Sequence, residues 1–327
     1  MSNAGTPDVR TPSRNWRDIA LMIVLLALMI GGLAGLAVAT GWSETKAQLM
    51  RLGVIQIAAL LGLSLVNYLA RTVRWHFFAR RLGLPSGALR DIRHYLGGFA
   101  MSATPGRVGE LIRMRWLRRE TGWSYDRLAP LVLVDRAADL AAMAIILGLA
   151  LIFSQTGIAG AIPLAILALG TAFVFTHPDL LSNVVTVGYR STGLFPRLMG
   201  KVRRAARSLG AFTTPWTLII SAFLGIIGWM AEGYAFYLIL GWLGSNVSFW
   251  TATAIFVFST LAGGLTGAPG GVGGAEAAMI GLLSLNGVSL ETAVAATLII
   301  RLVTFWFAIG IGLFIFPIAE RKAGLAK

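Results

Sequence analysis

Thr104-Pro-Gly-Arg-Val-Gly-Glu110 interrupts a largely apolar stretch with a proline, two glycines and an Arg/Glu pair. Farther along, Ala268-Pro-Gly-Gly-Val-Gly-Gly-Ala-Glu276 repeats the Pro-Gly-x-Val-Gly pattern, again with a glutamate close behind. Proline removes a helical donor and glycine relaxes the backbone, so each motif ends one helix and lets another begin. The surroundings decide what such breaks mean. The chain has 327 residues, 56% of them hydrophobic and 13% charged, whereas soluble domains carry roughly 25% charged residues. The uncharged runs Ile19–Ser43 and Leu52–Ala70 are long enough to cross a hydrocarbon core of about 30 Å. The fold class that follows is an all-α polytopic membrane protein.

Other classes fall away quickly. The alternating segments of a membrane β-barrel are absent. The first apolar run is too long for a signal-peptide core and shows no small-residue cleavage site before Trp42, so it reads as a retained span. With no cysteine, disulfides and thiol chemistry are excluded. A net charge of +14 reads as membrane orientation and contact with anionic headgroups, not as a nucleic-acid surface.

Basic residues place the loops. They cluster in the N-terminal tail, from Arg71 to Arg93, from Arg113 to Arg119, from Arg190 to Arg207 and at the C-terminal end, while only Lys46 and Arg51 separate the first two spans. The positive-inside rule then puts the clusters on the cytoplasmic side. Six spans are expected over about 19–42, 52–74, 127–153, 158–176, 214–242 and 291–317, with a basic cytoplasmic loop over about 177–212. Residues 1–17 and 319–327 become cytoplasmic tails around one transmembrane domain, 18–318. Two apolar segments remain, about 92–118 and 249–286, and each is broken by one of the opening motifs. The flanking charges place both ends of the first inside and both ends of the second outside. Each is therefore expected to be a re-entrant helical hairpin, since non-helical backbone at membrane depth needs protein or water around it. The tips are Pro105, Gly106 and Gly109, and Pro269, Gly270, Gly271 and Gly273.

Spacing links the two. Pro105 to Pro269 is 164 positions, Glu110 to Glu276 is 166, and both Arg136 to Arg301 and Asn67 to Glu232 are 165. Repeats over about 52–153 and 214–317 thus enter the membrane from opposite sides, as in an inverted-topology repeat. Gly/Pro-interrupted segments at corresponding positions of two halves point to a transporter's central site. Isolated glycines in membrane helices more often serve close packing; matched motifs with acids and arginines in register argue for more than that.

"ARTVRW" after a span, "PGRVGE", "VDRAAD" and "APGGVGGAEAAMIGLLSLNGVSLETAVAATLIIRLVTFW" resemble the flippase-like transmembrane domain of lysylphosphatidylglycerol synthases, over about 15–318. The resemblance implies an inner (plasma) membrane protein that handles a lipid. In the synthases this part moves aminoacylated phosphatidylglycerol between leaflets. No soluble aminoacyltransferase domain follows in the given chain, so the resemblance does not extend to lipid synthesis or to the aminoacyl substrate.

Ionisable groups inside spans cost at least about 2.5–3.5 kcal/mol on insertion scales and are functional candidates by default. Here they are Arg107, Glu110, Asp135, Arg136, Asp139, Glu232, Glu276 and Arg301, with Arg71 and Arg74 at the end of span two, where they are expected to snorkel. Structural pairing would join Arg136 to Glu110 and Arg301 to Glu276. Asp135 and Asp139 share a helical face, either to bind a proton or cation or to be neutralised by nearby arginines. Arg107, at a tip before a helix beginning near Val108, suits a phosphate; the mirrored tip has no cation of its own. The segment Leu111–Arg119 reads as an interfacial helix.

His76, His94 and His177 form no metal-ligand pattern, "GAPGGVGG" lacks the ending of a nucleotide loop, and no G-x-S-x-G elbow occurs. The expectation is a transporter of a membrane phospholipid or polyprenyl-phosphate lipid, with no catalytic residue, cofactor, metal or nucleic-acid partner. An accessory subunit or enzyme serving a lipid-modifying or glycosyltransferase partner is the alternative. The sequence sets no oligomeric state; a homodimer is compatible with it.

Overall fold

The computed structural model describes residues 46–47, 50, 52–85, 87–102, 104, 108–154, 161–177, 179–184, 186 and 209–325. The described residues are helical throughout, joined by short turns. In chain order the helices are α1 (Val54–Arg81), α2 (Ala88–Gly98), α3 (Val108–Thr121), α4 (Tyr125–Phe153), α5 (Ala161–Thr176) and α6 (Pro215–Trp242). They continue with α7 (Phe249–Leu265), α8 (Gly274–Leu285), α9 (Leu290–Arg301) and α10 (Phe307–Leu325). Single 3₁₀ turns follow α2 and precede α8, at Phe99–Met101 and Pro269–Gly271. A π turn, Leu302–Trp306, joins α9 to α10.

Four helical stretches are long and apolar enough to cross a membrane: Val54–Arg81, Tyr125–Phe153, Pro215–Trp242 and Leu290–Leu325. Of the six expected spans, the first lies outside the described residues. The fourth is represented by α5, with 16 residues; residues 155–160 before it lie outside the described set. α5 packs against α4 through Ala161, Ala165, Ala168 and Ala172, a 4-3-4 stripe of small buried residues. The expected loop over 177–212 falls mostly on residues outside the described set.

The helix of span two continues past residue 74 to Arg81, so Arg71 and Arg74 lie within α1. α6 runs along α1, with Gly225 against Arg74 and Ala142 and Gly228 against Asn67. These absent side chains let the two helices approach closely.

Both motif-bearing segments are broken helices whose arms lie together. In the first, Gly98 meets Gly109 and Arg113, Gly97 meets Trp116, and His94 Nε2 lies 3.1 Å from Glu120 Oε1. A Cβ on Gly109 would collide with the Gly98 carbonyl, so this crossing needs glycine. The second folds α7 onto α8, and Gly270 takes a positive φ of 61° directly against the Phe305 ring. Pro105, Gly106 and Arg107 lie outside the described residues, so the expected phosphate role of Arg107 has no structural counterpart here.

Leu111–Arg119, expected as an interfacial helix, packs one face against the rest of the protein. Trp116 and Leu117 are fully buried, and Trp116 packs with Ile112, Ala319 and Ala323 of α10. Its indole N–H donates to Glu320 Oε2 at 2.6 Å, and Arg115 and Arg119 reach the same carboxylate at 2.6 Å. α3 is thereby held to the C-terminal helix.

At the far end of α3, Glu120 faces Arg93 at 3.0 Å, His94 at 3.1 Å and Arg90 at 3.5 Å. Burial pushes this carboxyl up, but the His94 hydrogen bond and the charges of His94, Arg93 and Arg90 outweigh it and hold the group below its ordinary value of 4.5. A carboxyl depressed in the folded state stabilises fully above that value and loses its contribution as pH falls through the lower one. The melting temperature should therefore drop on acidification below about 4.5, and Glu120→Gln should flatten that drop. Identical acid profiles for the two proteins would rule out this latch.

Candidate functional site

The charged positions singled out by sequence converge between the two broken helices. Arg74 is 0% exposed. Its Nη2 donates to Asp135 Oδ1 at 2.7 Å and to Asp139 Oδ1 at 2.6 Å. Arg71, one turn earlier, donates to Asp139 Oδ2 at 2.7 Å and lies over the Trp229 ring at 5.3 Å. The expectation that these two arginines snorkel is corrected: the acids of α4 hold them inside, where a carboxylate is a better partner than a distant interface.

Arg136 joins this cluster to the first broken helix. Its Nε lies 3.1 Å from Glu110 Oε1, and its Nη2 lies 3.1 Å from Asp135 and 3.3 Å from Asp139. Arg113 approaches Asp135 at 3.9 Å and stacks over Tyr95, 4.1 Å from the ring centroid. Asp135 and Asp139 thus sit among arginines from three helices, which is the neutralised alternative and not a free acid pair.

The second broken helix is held in the corresponding way. Arg301 Nε lies 2.6 Å from Glu276 Oε1, while Arg301 Nη2 donates to the Gly270 carbonyl at 3.0 Å. Glu276 Oε2 in turn accepts from the Gly273 N–H at 2.6 Å, tying the start of α8. The tip without a cation of its own therefore receives one from α9. Two of its amides are engaged, Gly271 N–H donating to the Ala268 carbonyl and Gly273 N–H to Glu276.

The π turn completes the wall. A wider turn shifts the register of the helix after it, and the buried carbonyl of Thr304 accepts the Tyr68 hydroxyl of α1. This ties the end of Leu290–Arg301 to α1 beside Arg71.

Between these elements lies a cavity of about 450 Å³, within the usual range of ligand pockets. Arg71, Arg113, Arg136 and Arg301 line it, together with Glu110, Asp139 and Glu232. Leu164, Leu167, Ala168 and Phe175 of α5, with Leu261 and Leu265 of α7, also line it. The lining thus combines guanidinium forks that can meet a phosphate bidentately with apolar side chains that suit hydrocarbon.

Nearly all of the predicted site residues that are described meet here. Sequence reasoning missed Arg113, Tyr95 and Trp229. Arg113 carried a signal, lying three residues after Glu110 on the same helical face; the aromatic pair had none, because Tyr and Trp are common in membrane helices. Among the described residues no group of His, Cys, Asp and Glu is placed to hold a metal.

A model of the lysylphosphatidylglycerol synthase TM region matches residues 19–312. Among curated proteins, the chain is 24% identical over 320 residues to a UPF0104 membrane protein of Methanothermobacter thermautotrophicus, covering 90% of this chain and 94% of that one. It is 22% identical over 293 residues to a UPF0104 membrane protein of Pyrococcus horikoshii, covering 81% and 88%.

Proposed function

The chain belongs to the lysylphosphatidylglycerol synthase transmembrane-region family, and on that premise we propose that it moves an anionic, phosphate-bearing lipid between membrane leaflets. The observation that carries this reading is a single cavity lined both by arginines of the two sequence halves and by apolar side chains of α5. A headgroup phosphate would enter among Arg71, Arg113, Arg136 and Arg301, and its chain would lie along α5. Arg136 and Arg301 are held by Glu110 and Glu276 and would exchange those partners for the phosphate. The work is binding and release; no bond of the lipid changes, and no cofactor is needed. A phospholipid and a polyprenyl phosphate both present the required chemistry.

In this reading the two broken helices are re-entrant hairpins of an inverted repeat, entering from opposite sides and meeting at the cavity. The protein spans the plasma membrane six times with both termini cytoplasmic. Asn246, in the turn before α7, is then external. Because the chain has no cysteine, a single cysteine at Asn246 should react with an impermeant maleimide applied from outside to intact cells. Labelling only after the cytoplasmic side is opened would reverse the topology.

The function is tested in liposomes with a leaflet-resolved reporter, using acyl-labelled phosphatidylglycerol and, separately, a labelled polyprenyl phosphate. Faster equilibration of at least one lipid than in protein-free liposomes is expected. If neither moves faster, the transport reading is wrong.

A further inference from the structure

Glu232 is the acid that the ion-pair network leaves out. It stands in the middle of α6, is 5% exposed and lines the cavity. Asp135 and Asp139 are each held by arginines, Glu110 by Arg136, and Glu276 by Arg301. Among the described residues Glu232 has no ion pair and no hydrogen bond. Four helices pack on α6. From them, Tyr68 and Arg71 of α1, Asp139 of α4 and Arg301 of α9 act on Glu232 through space. α7 carries no ionisable residue.

A second unsatisfied group faces α6 one turn before Glu232. Gly228, one turn before Glu232 on α6, faces Asn67 of α1, which is fully buried. Neither the amide nitrogen nor the amide oxygen of Asn67 has a partner. Buried polar atoms without partners are rare and call for a reason. This side of the α1–α6 contact thus holds a carboxyl and an amide, both buried and both unmatched.

A buried carboxylate costs several kcal/mol unless a cation compensates it. The cations near Glu232 are already committed, Arg71 to Asp139 and Arg301 to Glu276. When a phosphate draws on those arginines, the compensation at Glu232 falls further. A proton taken from water onto one carboxyl oxygen removes the charge, and the Asn67 amide offers the neutral acid a hydrogen-bond partner a turn away.

We propose that Glu232 binds a proton when an anionic headgroup occupies the cavity, so that the site takes up anion and proton together. The inference rests on the transport reading and supplies its coupling ion. A sodium ion is the competing occupant, and a carboxylate with an amide oxygen would suit it too.

The test is calorimetric titration of the detergent-solubilised protein with short-chain phosphatidylglycerol, in two buffers of different ionisation enthalpy. The titration is repeated over a series of pH values; where the lipid-free carboxyl is ionised, wild type should take up about one proton per bound lipid, and the uptake should be the same with choline in place of sodium. Glu232→Gln, checked by its melting curve, should bind lipid with no proton uptake. If that variant does not fold, Glu232→Asp replaces it and should shift the pH at which uptake is half complete. Lipid binding without proton uptake by wild type overturns the inference and leaves the transport reading standing. Equal uptake by Glu232→Gln, an unmoved midpoint in Glu232→Asp, or binding that requires sodium also overturns it. If the protein binds neither this lipid nor a short-chain polyprenyl phosphate titrated in the same way, the transport reading and this inference fall together.

Discussion

Arg74→Ala should cost about 3–5 kcal/mol, as expected when one partner of a buried ion pair is removed. Arg74 is fully buried and its Nη2 reaches both Asp135 and Asp139. Alanine would leave the two carboxylates of α4 with less compensation. Arg71, Arg113 and Arg136 still approach those acids, which keeps the loss from being larger. Arg74→Lys keeps the charge but not the planar fork that serves two carboxylates at once, so it should fall between. Melting curves in detergent measure the series. A wild-type melting temperature for Arg74→Ala would mean that the cluster does not hold α1 to α4.

The second large effect concerns the brace of the second broken helix. Arg301→Gln should cost about 3–5 kcal/mol because it strands Glu276, and Glu276→Gln should cost a similar amount by stranding Arg301. The double variant should recover much of the loss, since two neutral amides need no counter-charge; that non-additivity is the signature of a direct pair. The equivalent pair of the first half, Arg136–Glu110, is less buried, with side chains 19% and 17% exposed against 9% and 7%. Glu110→Gln should accordingly cost less than Glu276→Gln. Strictly additive losses in the Arg301/Glu276 cycle would show that the two residues act separately.

Much of this arrangement is legible in the sequence, for a physical reason. Charges inside apolar helices are too costly to be incidental, so Glu110, Asp135, Arg136, Asp139, Glu276 and Arg301 announce themselves, and opposite signs at matched offsets name the pairs. The breaks at Gly109 and Gly270 are legible because few other residues allow such close approaches. Long-range partners are less legible. The pairing of Arg71 and Arg74 with Asp135 and Asp139 depends on how α4 lies against α1, and the Trp116–Glu320 hydrogen bond joins residues 204 positions apart. The π turn and the reach of Arg301 to the Gly270 carbonyl depend on tertiary register, which periodicity does not carry. The isolation of Glu232 is a property of where every other charge went, and it emerges only once the pairs are placed.

The central claim is that lipid passes through the cavity between the two broken helices. The most direct measurement is transport in liposomes by single-cysteine variants modified with a bulky, uncharged maleimide, with labelling verified by mass spectrometry. Thr260 lines the cavity, whereas Phe314 is 84% exposed on the outer face of α10. Labelling Thr260→Cys should stop lipid movement, and labelling Phe314→Cys should leave it at the unlabelled rate. Fully labelled Thr260→Cys moving lipid as fast as before would place the lipid route elsewhere and contradict the account.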